Sequence, residues 1–596
     1  MRKILLSIIA LCISCATFAS RPLKGLRTHV QSDGKTISVR PTGNSISGFY
    51  VTTDDYALYS VGSDYFYAYL DAEGNFKNSG ILAHNKEERT EAENELLKGS
   101  EYQNVSSRFE YEPETYRLPQ SKATRGVGST DLATIKCTGS PKVLVVLVDF
   151  SDVQFCTEDV ASLQPVDYYD LALNGTNATE VYNKTNNIAS VQKYFTDQSL
   201  GQFTPVFDVY SKIYRANNAS TYYGKDEETS KDINIRKLRD EIGAYLKNEP
   251  IDLAPYDANK DGEVDCLIVI YAGKSQATGG GANTIWNKCI STKNDISTCG
   301  TYNLCTTVFV NERYVDDSHT FLEGIGTMCH EFSHALGLPD MYYTLSTVYF
   351  GLNHWSLMDE GLYYWDNNKK IYGTKPVGYT AYEKEFMGWI TIEELAEGYH
   401  EFKNLKSVAD GGKAYRITNP ANTNEYLILE SRQTDGWGLY RGGLQIMKVK
   451  YDYSIWKANR VNSYSEQRCT LIPADGKLDI KDGLTDDQYW ASLYGDLFPI
   501  ETIEDFTAVT EFVPTDKSLF YYNFPIRNIT RDKTAKTVSF TIGNKSTGVD
   551  AVNAAVLVDV YNVSGIRLRK NVEAGTATDN LPEGIYIVGG KKVIKR

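Results

Sequence analysis

Continuous and alternating apolar runs divide this chain into segments before any chemistry is considered. Residues 143–148 form an unbroken β-branched and aliphatic run, the pattern of a strand buried on both faces, and residues 266–271 repeat it. Residues 188–195 and 233–246 space their apolar positions as helices do. Strands alternating with helices predict an α/β or α+β unit over residues 131–392. Over residues 393–545 the pattern changes to short strand-like runs (426–429, 444–447, 537–540) separated by turn residues, which predicts an all-β domain. Two further runs, 557–561 and 584–588, predict a small C-terminal β domain over residues 546–596. Ahead of the α/β unit, residues 20–130 are polar, with short alternating segments at 36–39 and 66–69 and a charged, helix-compatible stretch at 87–98. These residues read as a separate N-terminal domain. Its last part, residues 122–128, is small and basic, a composition that suits a domain boundary and a nicking site.

The chemistry is concentrated in residues 321–340. At about 100° per residue, Ile325, Met328, Phe332, Ala335 and Leu336 fall on one side of a helix, with His330 and His334 one turn apart on the other. Two imidazoles at this spacing can meet one zinc ion, and Glu331 between them is placed to activate a water rather than to bind the metal. A catalytic zinc needs a third protein ligand and one open position. Gly337 can end the helix and reverse the chain, after which Leu338-Pro339 directs Asp340 back toward the site. Downstream, Trp355-Ser356-Leu357-Met358-Asp359-Glu360-Gly361 fits a methionine turn, with Met358 as an apolar floor beneath the ligands. These parts predict peptide-bond hydrolysis in which Glu331 takes a proton from water and passes it to the leaving amine. Tyr363, Tyr364, Tyr379 and Tyr382 are all candidate oxyanion donors, and spacing does not choose among them.

A second acidic pattern places Asp257, Asn259, Asp261, Glu263 and Asp265 at alternate positions with Gly262 at the turn, like the first half of a calcium loop. Ile268 stands where such loops carry a bidentate Glu, so calcium would need a distant group, and a simple acidic turn is the other reading.

Charge and termini narrow the function further. A formal net charge of -14 argues against nucleic-acid binding, which requires a basic surface. The 43 tyrosines suit strand-rich structure with one face packed and one face wet. Arg2 and Lys3 precede a short apolar run at 4–13, and Thr17 and Ala19 are the small residues of a cleavage site. Residues 1–19 therefore read as a signal peptide, too short to anchor in a bilayer, and no later run reaches membrane length. Export to an oxidising compartment permits disulfides, and Cys289, Cys299 and Cys305 are close enough in sequence to pair locally. No cysteine lies between residue 19 and Cys137, so a cysteine switch from the N-terminal domain is disfavoured. A carboxylate or steric block of the cleft suits this domain better.

On its motifs the chain resembles the immune inhibitor A family of secreted bacterial metallopeptidases. The likeness rests on residues 330–340, the turn at 355–361, Phe386-Met387-Gly388-Trp389, the loop at 257–265, residues 148–152 and the β run 425–433. The resemblance implies a metzincin-like zinc peptidase catalytic domain, zinc on His330, His334 and Asp340, Glu331 as general base, structural calcium, and an N-terminal propeptide. The tail, at 560–565 and 581–588, resembles the C-terminal sorting domain of type IX secretion. That implies a protein secreted from, or held on the surface of, a Gram-negative bacterium, with the outer-membrane secretion machinery as a partner. A cell-surface binding protein using the protease fold and β domains as a scaffold is the alternative, but it would not need Glu331.

Overall fold

The computed structural model describes residues 16–22, 26–42, 48–71, 76–103, 105, 132–227, 231–281, 283–291, 297–315, 320–344, 351–366, 371–434, 436–438, 441–463, 466–478, 492–500, 509–544 and 557–595. The basic segment at 122–128 and the first fifteen residues lie outside these.

The two unbroken apolar runs become neighbouring parallel strands, Lys142–Asp149 and Leu267–Tyr271, with Leu144 opposite Leu267 and Val148 opposite Tyr271. Their alternate residues feed two cores. Val143, Val145, Leu147, Ile268 and Ile270 pack with Met328 and Phe332 of the helix Ile325–Ala335. Leu144, Val146, Val148, Leu267 and Val269 pack with Leu238 and Ile242 of the helix Ile235–Leu246. Each such aliphatic side chain contributes about 1.5–3 kcal/mol on full burial, which makes this sandwich the main support of the fold. The full sheet has seven strands, in the order Ala16–Ala19, Lys288–Ser291, Thr306–Asn311, Leu267–Tyr271, Lys142–Asp149, Tyr214–Arg215, with Val206–Val209 also on Lys142–Asp149. Lys288–Ser291 runs antiparallel to Thr306–Asn311, and Ala16–Ala19 runs antiparallel to Lys288–Ser291.

All eight cysteines from Cys137 onward are thiols. The local pairing considered for Cys289, Cys299 and Cys305 is not made. Cys289 belongs to the core beneath the helix Ile325–Ala335, whereas Cys299 belongs to the core on the other face of the sheet.

The segment Glu393–Leu471 supplies a five-stranded sheet, in the order Glu393–Glu394, Tyr415–Thr418, Glu425–Arg432, Gly443–Lys450, Cys469–Leu471. Tyr426, Ile428, Met447, Val449 and Trp456 pack into the same core as Met328 and Phe332, so this sheet has no separate core of its own. A second compact unit comprises residues 396–403, 510–530 and 539–596. Its C-terminal part is a four-stranded antiparallel sheet packed around Val558, Val560, Tyr586 and Val588. No helix among the described residues is long and apolar enough to cross a membrane.

The N-terminal domain is a six-stranded antiparallel meander, Arg27–Val30 through Phe76–Leu82, in which each strand pairs with the next. The short helix Glu91–Leu96 closes it through a capping box between Thr90 and Glu93. Glu93 also accepts from Tyr67 Oη at 3.1 Å and meets His84 Nδ1 at 2.8 Å, while His84 Nε2 meets Asp33 Oδ2 at 2.9 Å. Burial opposes a charge on His84, but the hydrogen bonds to Asp33 and Glu93 outweigh it and raise its pKa. The same contact holds Asp33 low, and Glu93 is also low because Thr90 and His84 overcome its burial. A raised histidine pKa contributes stability below about 6.5 that is lost as pH rises through the folded value. Depressed carboxylates contribute stability above about 4 that is lost as pH falls. His84→Gln is therefore expected to remove the part of the meander's stability that is present below about pH 6.5, read as faster hydrogen exchange than wild type near pH 5–6 after correction for intrinsic rates.

Candidate active site

The helix Ile325–Ala335 begins where two elements touch without side chains between them. A Cβ at Gly324 would come within 2.3 Å of the Gly373 carbonyl carbon, and one at Gly326 within 2.0 Å of the Leu362 carbonyl oxygen. The helix is buried on all sides, not only along its apolar stripe. It ends at Gly337, whose φ of +91° is the left-handed value that reverses the chain. In that reversal Leu338 N donates to Ser333 O, and the Leu338 carbonyl turns back to accept from His334 Nδ1 at 2.7 Å.

His330 Nδ1 is likewise bonded to the Leu357 carbonyl at 2.8 Å. Both rings therefore carry their proton on Nδ1 and present Nε2 as a lone pair, the arrangement a metal-binding imidazole needs. The two Nε2 atoms lie 3.2 Å and 3.4 Å from Asp340 Oδ1. Among the described residues, His330, His334 and Asp340 are the one group of three His, Cys, Asp or Glu residues whose donor atoms all lie within 4.8 Å of one another. Burial would raise the Asp340 pKa, but positive charge at the two Nε2 positions, from protons when no metal is bound, outweighs it and keeps the carboxylate ionised. The donor set, two neutral nitrogens and one carboxylate oxygen, fits a zinc ion with an open fourth position.

Asp340 is oriented by a residue that the sequence pattern did not single out. Asn459 Nδ2 donates to Asp340 Oδ2 at 2.6 Å, and Asn459 Oδ1 accepts from Asp340 N at 2.7 Å. Asn459→Leu is expected to weaken zinc binding by about 10–100-fold, measured by competition with a fluorescent chelator. Met358 is fully buried in the same core, and its carbonyl accepts from Met341 N, which ties the turn at 355–361 to the residue after Asp340.

Glu331 is fully buried beside this cluster, and burial pushes its carboxyl pKa up, the direction that suits a base poised to give its proton back. Its Oε1 accepts from the backbone amide of Ser20 at 2.7 Å. The strand Ala16–Ala19 reaches this point along the sheet edge, and Trp286 Nε1 donates to the Ser20 carbonyl at 2.9 Å. Of the four tyrosines considered as oxyanion donors, Tyr363 donates to the Arg21 carbonyl at 2.7 Å, one residue beyond the Ser20 amide on Glu331. Tyr379 pairs with Ser333 and meets Tyr194 and Trp389 at steep ring angles, and Tyr382 packs on Phe386 and Trp456, so both serve the interior. Tyr364 packs at the rim of the core, with Lys375 Nζ over its ring.

The Asp257–Asp265 loop uses its oxygens on its own backbone. Asp257 accepts from Asp261 N and Gly262 N, Asp261 from Glu263 N, and Asp265 from Ala258 N. Burial, with Asp257 and Asp261 nearby, pushes Asp265 up to about 6. Asn259 Nδ2 donates to Asp261 Oδ2, and Glu263 bridges by its backbone to Asn303.

Residues 133–390 match the model of the immune inhibitor A peptidase M6 catalytic domain. The chain is 28% identical over 295 residues to the pre-pro-metalloprotease PrtV of Vibrio cholerae, a match covering 43% of this chain and 31% of that protein. It is 27% identical over 297 residues to immune inhibitor A of Bacillus thuringiensis subsp. alesti, covering 43% of this chain and 41% of that protein. The chain thus spans less than half the length of either relative.

Proposed function

We propose, from a segment matching the peptidase M6 catalytic domain, that this chain is a secreted zinc-dependent endopeptidase made as a proprotein. The observation that carries the reading is the joint placement of His330, His334 and Asp340 around one point, with Glu331 beside them against a backbone amide. His330, His334 and Asp340 would hold the zinc, which would supply Lewis acidity toward water and a carbonyl oxygen. Glu331 takes a proton from the attacking water and delivers it to the leaving amide nitrogen, a role supported by its hydrogen bond from the Ser20 amide. Trp286 and Tyr363 hold the backbone on the leaving side by bonding the two carbonyls that follow it. A metzincin-like arrangement, with Met358 beneath the ligands, agrees with the methionine turn next to the helix.

The backbone of residues 16–20 runs along the sheet edge to Glu331, which supports the N-terminal region acting as a steric block. A signal-peptide cut after Ala19 would leave the Ser20 amino group against Glu331. A structural calcium in the Asp257–Asp265 loop, and export through a sorting tail formed by the C-terminal four-stranded sheet, belong to the same reading but are not needed for the chemistry.

The test is casein hydrolysis by a form starting near Thr130, before and after chelation. Hydrolysis lost on chelation and restored by zinc is the expected result. Intact casein in the zinc-loaded, processed protein would refute the reading.

A further inference from the structure

Arg21 is fully buried, although an arginine side chain is costly to desolvate. Its guanidinium Nη1 lies 3.3 Å from Asp359 Oδ1 and 3.2 Å from Glu360 Oε1, and its Cζ stands 5.9 Å from the centre of the Tyr342 ring. The pocket is built rather than incidental. Asp359 Oδ2 accepts from Leu352 N at 2.9 Å and from Asn353 N at 2.7 Å, which fixes the carboxylate with Oδ1 directed at Arg21. Glu360 Oε2 is held 3.4 Å from His354 Nε2. Burial and the neighbouring Glu360 push Asp359 up to about 6 even with Arg21 present, so the guanidinium is what favours its ionised form.

The register of the segment defines what this pocket reads. Ala16–Ala19 lies along the sheet edge, and the Ser20 amide is at Glu331, where a leaving nitrogen belongs. Arg21 is therefore the second residue beyond the position of the cut bond. We propose that Asp359 and Glu360 form a specificity subsite of the mature enzyme that selects substrates with arginine at the second position after the cleaved bond. When the N-terminal segment leaves, the same two carboxylates favour a cation, and a substrate guanidinium replaces Arg21. Lysine fits less well: one nitrogen suffices to reach both carboxylates, but an ammonium is more strongly hydrated than a guanidinium and costs more to bury here. A neutral residue takes the cation away from Asp359 and Glu360 while their contacts to Leu352 N, Asn353 N and His354 remain, and the lost charge pairing is expected to discriminate by about 10²-fold in kcat/KM.

This proposal rests on the peptidase reading, and one digest separates the two. The form starting near Thr130, which lacks Arg21, is incubated with casein, and the new N-termini are mapped by mass spectrometry. In parallel, kcat/KM is measured for Ala-Thr-Phe-Ala-Ser-Arg and its counterpart with citrulline, a neutral isostere, in place of arginine. Enrichment of arginine at the second position after casein cuts, with an arginine-to-citrulline ratio near 10², is expected. Glu360→Gln, checked for folding by its zinc content, is expected to lower that ratio at least 10-fold. Casein cut with no arginine enrichment, or with citrulline and arginine peptides cleaved alike, overturns the subsite while leaving the peptidase intact. Casein left uncut overturns the peptidase reading and the subsite with it.

Discussion

Glu331→Gln in the processed form is expected to slow casein hydrolysis by about 10²–10⁴-fold while leaving zinc content at the wild-type level. Both halves of that result follow from the geometry. Glu331 stands outside the cluster of donor atoms formed by His330, His334 and Asp340, so its replacement removes no ligand. It does remove the carboxylate that accepts from the Ser20 amide. Glutamine keeps the size and one hydrogen-bonding oxygen but cannot accept the proton of water and return it. Assay of hydrolysis and metal content on the same sample checks both. Retained hydrolysis would mean that another group is the base, and lost zinc would mean that Glu331 is a ligand.

The second large effect concerns the N-terminal segment. A precursor starting at Ser20 is expected to be about 10²-fold less active than the form starting near Thr130, the closed-to-open ratio that about 2.7 kcal/mol of net contact sustains. The contacts available are sufficient. Ser20 bonds Glu331 and Trp286, the Arg21 carbonyl bonds Tyr363, and its guanidinium pairs with two buried carboxylates. Removing one partner of a buried charge pair costs about 3–5 kcal/mol, so Arg21→Ala is expected to recover most of the activity in the uncut precursor. Equal rates for precursor and processed forms would show that the segment does not restrain the enzyme.

Sequence periodicity reaches some of this architecture and misses the rest for physical reasons. The i, i+4 histidines and the reversal at Gly337 are local, since helix pitch and one left-handed residue bring the donors together within a few residues. The doubly buried strands were legible because both faces of Lys142–Asp149 and Leu267–Tyr271 are packed. Asn459 reaches Asp340 across 119 residues, and Ser20 reaches Glu331 across 311, and no periodicity encodes either contact. Asp359 and Glu360 follow Met358 directly, yet their partner lies near the other end of the chain. The five-stranded sheet reads as strands from its turns, but its shared core with Phe332 is visible only once the chain is folded.

The most direct test of the account is a zinc titration of the metal-free processed protein, with casein hydrolysis as the readout, alongside Asp340→Ala. The account predicts that wild-type activity rises from baseline and saturates at one zinc per chain, with Asp340→Ala flat over the same range. Hydrolysis that persists in the stripped protein, or an Asp340→Ala curve overlaying the wild type, would contradict it.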